Sequence, residues 1–396
     1  MVMTAESGGS LRQFHDRPLL VFWEMTKACP LACHHCRANS QPLPGADDLT
    51  TEEAFRMLDE LAALGSPRPI CILTGGDCLS RTDLDDIVSY AALVKVPVAI
   101  APTVSPKLNR PTMRRLFERG VHTASVSLDG VGPTHDALRG VPEHFTETMA
   151  AIAMLHEIGF TVHVNTTVSK KNVSELAAVA ALLENADVAI WELFFLISTG
   201  RGAQDLATTA QQNEEICHFL VDASRYRMTV RTVEAPFFRR VALERLDGGD
   251  RLLVSGGDGV YDRLRDQLLE SLGPPQRPIP SPRVATRDGK GIVFVAANGD
   301  VYPSGFMPLR LGSMRTTPLV DIYRNHSLLH AIRHAEFRGV CGACTYSDLC
   351  GGSRARALAL DDDPLGDDAG CVLVARSRNG NVEGSSASRA WCATAP

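Results

Sequence analysis

The sequence has no apolar run approaching the roughly 20 residues that a membrane-crossing helix requires, so a spanning protein is not expected. It has no excess of positive charge. Forty Lys and Arg face 46 Asp and Glu, a net of −6, and this excludes binding nucleic acid through a broad basic surface. The first twenty residues, MVMTAESGGSLRQFHDRPLL, lack the charged start and continuous apolar stretch of a secretory signal, and a cytoplasmic location is expected. There is no internal repeat. Nor is there an even cysteine count: eleven cysteines in a chain with 44% hydrophobic residues and no secretory start exclude a disulfide framework. That hydrophobic content also excludes a disordered chain, and 396 residues are enough for two or three domains.

What is present is a rhythm of short β-type runs separated by helical periods. LLVFWEM (19–25), PICIL (69–73), 96–101, 123–128, 161–168 and 190–197 read as strands. Helices are expected over 51–64, 83–94, 111–119, 145–158 and 172–184, the first opened by Thr50 or Thr51 with Glu53 in a capping arrangement. Alternating strand and helix implies parallel strands joined by right-handed crossovers. Six such units predict an α/β fold over 19–225, a barrel or partial barrel rather than an open two-layer sheet, after an N-terminal extension, 1–18. Residues 226–290 read as bridging helices and a Pro/Gly-rich linker. A small hairpin-and-helix domain follows over 291–375, its turn at Asn298-Gly299, and 376–396 reads as a flexible tail.

Six cysteines fall in two tight groups, which in a reducing compartment points to metal. In the first, Cys29-x3-Cys33-x2-Cys36 directly follows the first strand. Three thiolates can hold three irons of a four-iron cluster and leave the fourth open to an outside ligand. A zinc site completed by His34 or His35 is the alternative that the same spacing allows. The stretch from Glu24 to Cys36, EMTKACPLACHHC, resembles the signature of the radical S-adenosylmethionine (SAM) superfamily.

That resemblance implies a partial (β/α)6 radical SAM barrel, bound SAM and one 4Fe–4S cluster held by Cys29, Cys33 and Cys36. It implies an external one-electron donor of the flavodoxin or ferredoxin type. Thr74-Gly75-Gly76-Asp77 resembles the family's Gly-Gly-Glu motif, with Asp77 supplying the carboxylate for the SAM amine. SVSLDG (125–130) with HDALRG (135–140) resembles the fourth-strand motif, so Ser127 and Arg139 are expected on the SAM carboxylate. LISTGRG (196–202) resembles the segment that touches the adenosyl group, Leu196 among it.

The second group, Cys341-x2-Cys344-x5-Cys350 followed by Cys371, resembles part of a SPASM domain, the C-terminal extension of heme-pathway and mycofactocin-type members. It implies one auxiliary 4Fe–4S cluster on these four cysteines. Four cysteines serve a zinc knuckle equally well, and spacing does not separate the two. Where the full motif has further cysteines, Ser304 and Arg354 stand instead, so an inner auxiliary cluster is not expected.

The expected activity is reductive cleavage of SAM to a 5′-deoxyadenosyl radical and hydrogen abstraction from a small-molecule cofactor or natural-product precursor. With about twenty residues before the first strand, no fused peptide-recognition domain is expected there, which favours a small molecule over a ribosomal peptide. An oxidative outcome, decarboxylation or dehydrogenation, follows if an auxiliary cluster takes an electron. Cys78, next to the Gly-Gly-Asp motif, is the candidate hydrogen donor for the alternative, an epimerase; maturation of a ribosomal peptide is another. Arg239, Arg240, Arg310 and Arg315 are candidate partners for substrate carboxylates, and Glu192 a candidate cavity residue. Outside enzymology, two zinc modules on a scaffold would use the same cysteines.

Overall fold

The computed structural model describes residues 14–202, 206–248, 259–282 and 286–378. Seven strands run parallel in chain order: β1 (Leu20–Glu24), β2 (Ile70–Thr74), β3 (Val98–Ile100), β4 (Thr123–Ser127), β5 (Thr161–Val168), β6 (Ile190–Phe195) and β7 (Thr229–Val233). All six expected strands are present. β7 is additional; its β-branched run TVRTV lies in the stretch read as bridging helices and linker. β7 ends the strand order, so the barrel stays open there.

Side chains alternate sharply along these strands. In β4, β5 and β6 every second residue, including Val126, Val164, Trp191 and Leu193, is sealed from solvent. The helices in the crossovers supply the apolar cover: Met57, Leu58 and Leu61 from Thr51–Ala63, and Leu176, Val179 and Leu183 from Leu176–Asn185, belong to the same core. The first helix has the expected capping box, Thr50 accepting from the Glu53 amide at 3.2 Å and Glu53 from the Thr50 amide at 2.9 Å. The intervening residues of these strands, on the opposite face, are less deeply buried.

The C-terminal hairpin does not stand apart. After the short β8 (Arg287–Asp288), β9 (Gly291–Val295) pairs in parallel with the free edge of β1, Leu20 opposite Ile292. β10 (Asp300–Tyr302) returns antiparallel around the Asn298-Gly299 turn, and β11 (Gly312–Ser313) pairs with β10. The helical part of this segment divides into Leu319–Asn325 and Ser327–Arg333, because extended His326 accepts the Leu328 amide as a new cap.

Tyr323 fastens this junction. It is fully buried, its hydroxyl donating to Phe14 O at 2.6 Å and accepting from Gly291 N at 3.0 Å. Tyr323→Phe leaves both groups unsatisfied. We expect a loss of about 1–3 kcal/mol, read as a lower midpoint in chemical denaturation with unchanged secondary structure.

Candidate active site and cysteine centres

The first cysteine loop is gripped from two sides. After β2, backbone bonds run from Gly76 N to Thr26 O (2.8 Å) and from Asp77 N to Ala28 O (2.7 Å). The approach is so close that a Cβ on Gly76 would lie 2.4 Å from Ala28 O; Gly75, at φ +135°, would meet Thr26 O at the same distance. After β6, Arg201 N bonds Cys36 O (2.9 Å) and its side chain reaches Cys33 O (2.9 Å) and Ser40 Oγ (3.1 Å). Gly200, at φ +58°, would place a Cβ 2.3 Å from Cys36 O. Leu196, buried, opens this segment. The two glycine motifs and the cysteine signature therefore form one assembly.

Around the sulfurs, Leu31 N lies 3.4 Å from Cys29 Sγ, Ser40 Oγ 3.7 Å from Cys36 Sγ and Arg139 3.8 Å from Cys33 Sγ. Burial pushes the Cys29 and Cys33 thiols up, with nearby donors opposing it. At Cys36 burial is outweighed by hydrogen bonds from Ser40 and Ala38, and the thiol is lowered. A metal centre here displaces protons from partly buried thiols.

Arg139 was expected on the SAM carboxylate; the structure gives it a protein carboxylate as well as the cysteine. It pairs with fully buried Asp129 at 2.6 Å, and His35 reaches the same carboxylate at 3.2 Å. Burial alone would raise Asp129, but Arg139 and His35 hold it far below the usual carboxylate range. Its neighbour His135 accepts the Asp129 amide at Nδ1 (3.0 Å), so its Nε2–H faces His144 Nδ1 (2.8 Å), and His144 Nε2–H is left to donate to Val104 O (3.0 Å). Burial pushes His135 down to about 4, consistent with a neutral relay. His35 thus braces the loop. Asp129 itself had no assigned role in the sequence.

Asp77 is also turned inward. It is fully buried and its carboxylate accepts from the amides of Leu79 and Thr103 (both 3.2 Å) and from Ser105 Oγ at 3.4 Å. Cys78 lies sealed in the hydrophobic core, where burial and Asp77 push its thiol well up. The candidate arginines do not converge on the barrel mouth. Arg310 pairs with Asp300 (2.8 Å), Arg315 with Glu53 (2.9 Å), Arg240 with Glu214 and Glu244, and Arg239 donates to backbone carbonyls of Leu349 and Thr286.

Ser127, by contrast, starts a polar row across the barrel interior. It stands opposite Asn165, Asn165 opposite Glu192, and Glu192 opposite Arg231, one residue from each of β4 to β7. Asn165 Oδ1 is buried with no hydrogen-bond partner, so it is ready to accept from a ligand. Burial raises the Glu192 carboxyl, with Arg231 opposing. Asn165 and Arg231 were missed in the sequence; the signal was the period-2 polar set His163, Asn165, Thr167 inside a strand.

The second cysteine group also converges. Cys341, Cys344, Cys350 and Cys371 line one cavity with Arg240, Tyr346 and the Gly351-Gly352 pair. Burial pushes Cys341 up to about 11 and raises Cys350 and Cys371. Elsewhere, exposed His330, His334 and Glu336 hold their ligand atoms within 4.8 Å of one another.

Gly200→Ala forces a Cβ into the Cys36 carbonyl at a left-handed position. We expect the N-terminal centre to load poorly, with iron content and visible absorbance falling by about half while far-ultraviolet circular dichroism is retained.

The Radical SAM superfamily profile matches residues 23–183. The AdoMet-dependent heme synthase of Methanosarcina barkeri is 31% identical over 360 residues, covering 90% of this chain and 97% of that protein. The pre-heme d1 synthase of Dinoroseobacter shibae is 26% identical over 372 residues, covering 90% and 86%. In fold, Streptococcus suis SuiB bound to S-adenosylmethionine superposes with a TM-score of 0.64 at 13% identity, over 90% of this chain and 78% of that one. The cysteine loop, the glycine clamps and the open barrel agree with these likenesses, and the chain belongs to the radical SAM superfamily of enzymes.

Proposed function

We propose that this enzyme oxidises a carboxylate-bearing cofactor precursor of the heme class, by decarboxylation or dehydrogenation, using one auxiliary 4Fe–4S cluster besides the radical SAM cluster. The reading is carried by the cavity that Cys341, Cys344, Cys350 and Cys371 share. Four thiolates leave no iron open, which suits taking up an electron rather than ligating substrate. The likeness to heme and pre-heme d1 synthases over nine-tenths of the chain supports the substrate class.

Cys29, Cys33 and Cys36 would hold the radical SAM cluster, which when bound supplies the electron that releases the 5′-deoxyadenosyl radical from SAM. The glycine clamps fix the loop that carries these thiolates. Gly75, Gly76, Ser127 and Leu196 remain the candidates for SAM, joined by Asn165 through its unpartnered oxygen. Asp77 and Arg139 act as positioning residues, the one capping the turn after the Gly-Gly pair and the other steadying Cys33. Glu192 and exposed Arg231 sit at the far end of the polar row, where a substrate carboxylate finds a cation. Cys78, enclosed on all sides, has no path to a substrate radical, and this weighs against the epimerase alternative.

Anaerobic protein loaded with both clusters, given SAM, a reductant and a porphyrin bearing propionates, should form 5′-deoxyadenosine. The product should lack the elements of carbon dioxide and two hydrogens per propionate changed. Arg231→Met should raise KM about tenfold or more, the worth of a charge-assisted hydrogen bond, with little change in kcat. A product of unchanged composition carrying one solvent deuterium would overturn the oxidative reading.

A further inference from the structure

A guanidinium buried away from water is costly unless a counter-charge replaces its hydration. Three arginines pack beside the C-terminal cysteine cavity with no carboxylate in hydrogen-bonding contact. Arg354 is fully buried. It donates to the carbonyls of Gly352 (3.3 Å), Pro364 (3.3 Å) and Gly366 (2.7 Å), and its Nη2 lies 3.8 Å from Cys341 Sγ. Arg287, 5% exposed, donates to Ser347 O (3.2 Å) and Cys350 O (2.9 Å), leaving Nε and Nη2 buried without a hydrogen-bond partner. Both guanidiniums lie over the Phe337 ring, at 5.1 Å for Arg287 and 4.5 Å for Arg354. Arg239 donates to Leu349 O and Thr286 O.

Among the described residues, the one carboxylate within 4 Å of any of these three is Asp348. It stands 3.8 Å from Arg287, is half-exposed, and is already held by Lys290 at 2.6 Å. Neighbouring arginines are treated differently. Arg240, on the same cavity, lies between Glu214 and Glu244, and Arg356 pairs with Asp368 at 2.8 Å. Asp288 and Asp363 act on Arg354 through space, but neither forms an ion pair with it within 4 Å.

The local backbone is shaped for these cations. Gly351 and Gly352 both lie in the left-handed region, at φ +66° and +65°. A Cβ on Gly351 would meet Arg287 Nη1 at 2.3 Å, and one on Gly352 would meet Arg354 Nη2 at 2.6 Å and Cys341 Sγ at 3.2 Å. The two glycines after Cys350 let the guanidiniums in beside the sulfurs.

We propose that Arg239, Arg287 and Arg354 form a cationic collar whose counter-charge is the four-thiolate auxiliary cluster, and that Arg354, bonded to Cys341, raises that cluster's reduction potential. An iron–sulfur core ligated by four thiolates is anionic, and one-electron reduction makes it more so. Cations at close range in a dry site favour the reduced form, and hydrogen bonds to a ligand sulfur act the same way. Arg354 stands where the full SPASM pattern has a cysteine, so the position exchanges a ligand for a tuning charge. The inference rests on the auxiliary-cluster reading above.

The test is a redox titration of the fully loaded protein, followed by electron paramagnetic resonance, with the N-terminal cluster as internal reference. Arg354→Met should lower the potential of the auxiliary signal and leave the reference in place; Arg354→Lys, which keeps the charge, should recover part of the shift. If Arg354→Met fails to take up the cluster, Arg239→Met carries the test, since that guanidinium bonds no cysteine: a lowered potential supports the collar. An unchanged auxiliary potential in a loaded variant overturns it. Wild-type protein with a single cluster would instead overturn the auxiliary-cluster reading itself.

Discussion

The close approach of backbone to backbone around the first cysteine loop is the constraint on which this enzyme turns. A loop bearing three thiolates has no regular structure to hold it, and its sulfurs must nonetheless keep a fixed spacing. The fold solves this by pressing two glycine segments, one after β2 and one after β6, onto the carbonyls of residues 26–28 and 36–37. At each contact a side chain would overlap a carbonyl oxygen. The requirement for glycine therefore comes from distance as well as from φ. Arg201 and the Asp129–Arg139–His35 group add polar ties from β6 and β4, so the loop is braced by several crossovers at once.

The same economy joins the two halves of the chain. β9 extends the barrel sheet beside β1, and Arg37, next to the last cysteine, donates to Gly305 O at 3.0 Å and lies over the rings of Phe294 and Phe306. The cysteine loop and the C-terminal hairpin are one packed unit. Outward strand residues are spent on the helical cover. Inward ones, from Ser127 to Arg231, are polar, and the buried Asn165 oxygen among them has no partner, as a surface prepared for ligands would have.

Much of this was legible in the sequence because the signals are local. Period-2 runs marked six strands, Thr50 and Glu53 marked a helix start, and tight spacing marked both cysteine groups. The losses have a common cause: they depend on long-range partners. TVRTV was too short to stand out from the stretch around it, and nothing near residue 291 announces that β9 will pair with β1. Asp77 and Arg139 were read by motif as ligand-facing. Yet Asp77 sits where free amides of the next turn and of Thr103 compete for it, and Arg139 sits opposite Asp129, ten residues earlier in sequence but adjacent in space. Arg354 read as the absence of a cysteine, whereas the fold buries it against Cys341.

The central claim is that two cysteine groups, unlike in ligand number, hold two clusters of unlike reactivity. Mössbauer spectroscopy of protein reconstituted with isotopically enriched iron, with and without SAM, tests it most directly. The expected spectrum has two four-iron clusters per chain, about eight irons, with SAM perturbing one iron of one cluster and leaving the other unchanged. A single cluster per chain, zinc at either cysteine group, or a response to SAM at both clusters would contradict it.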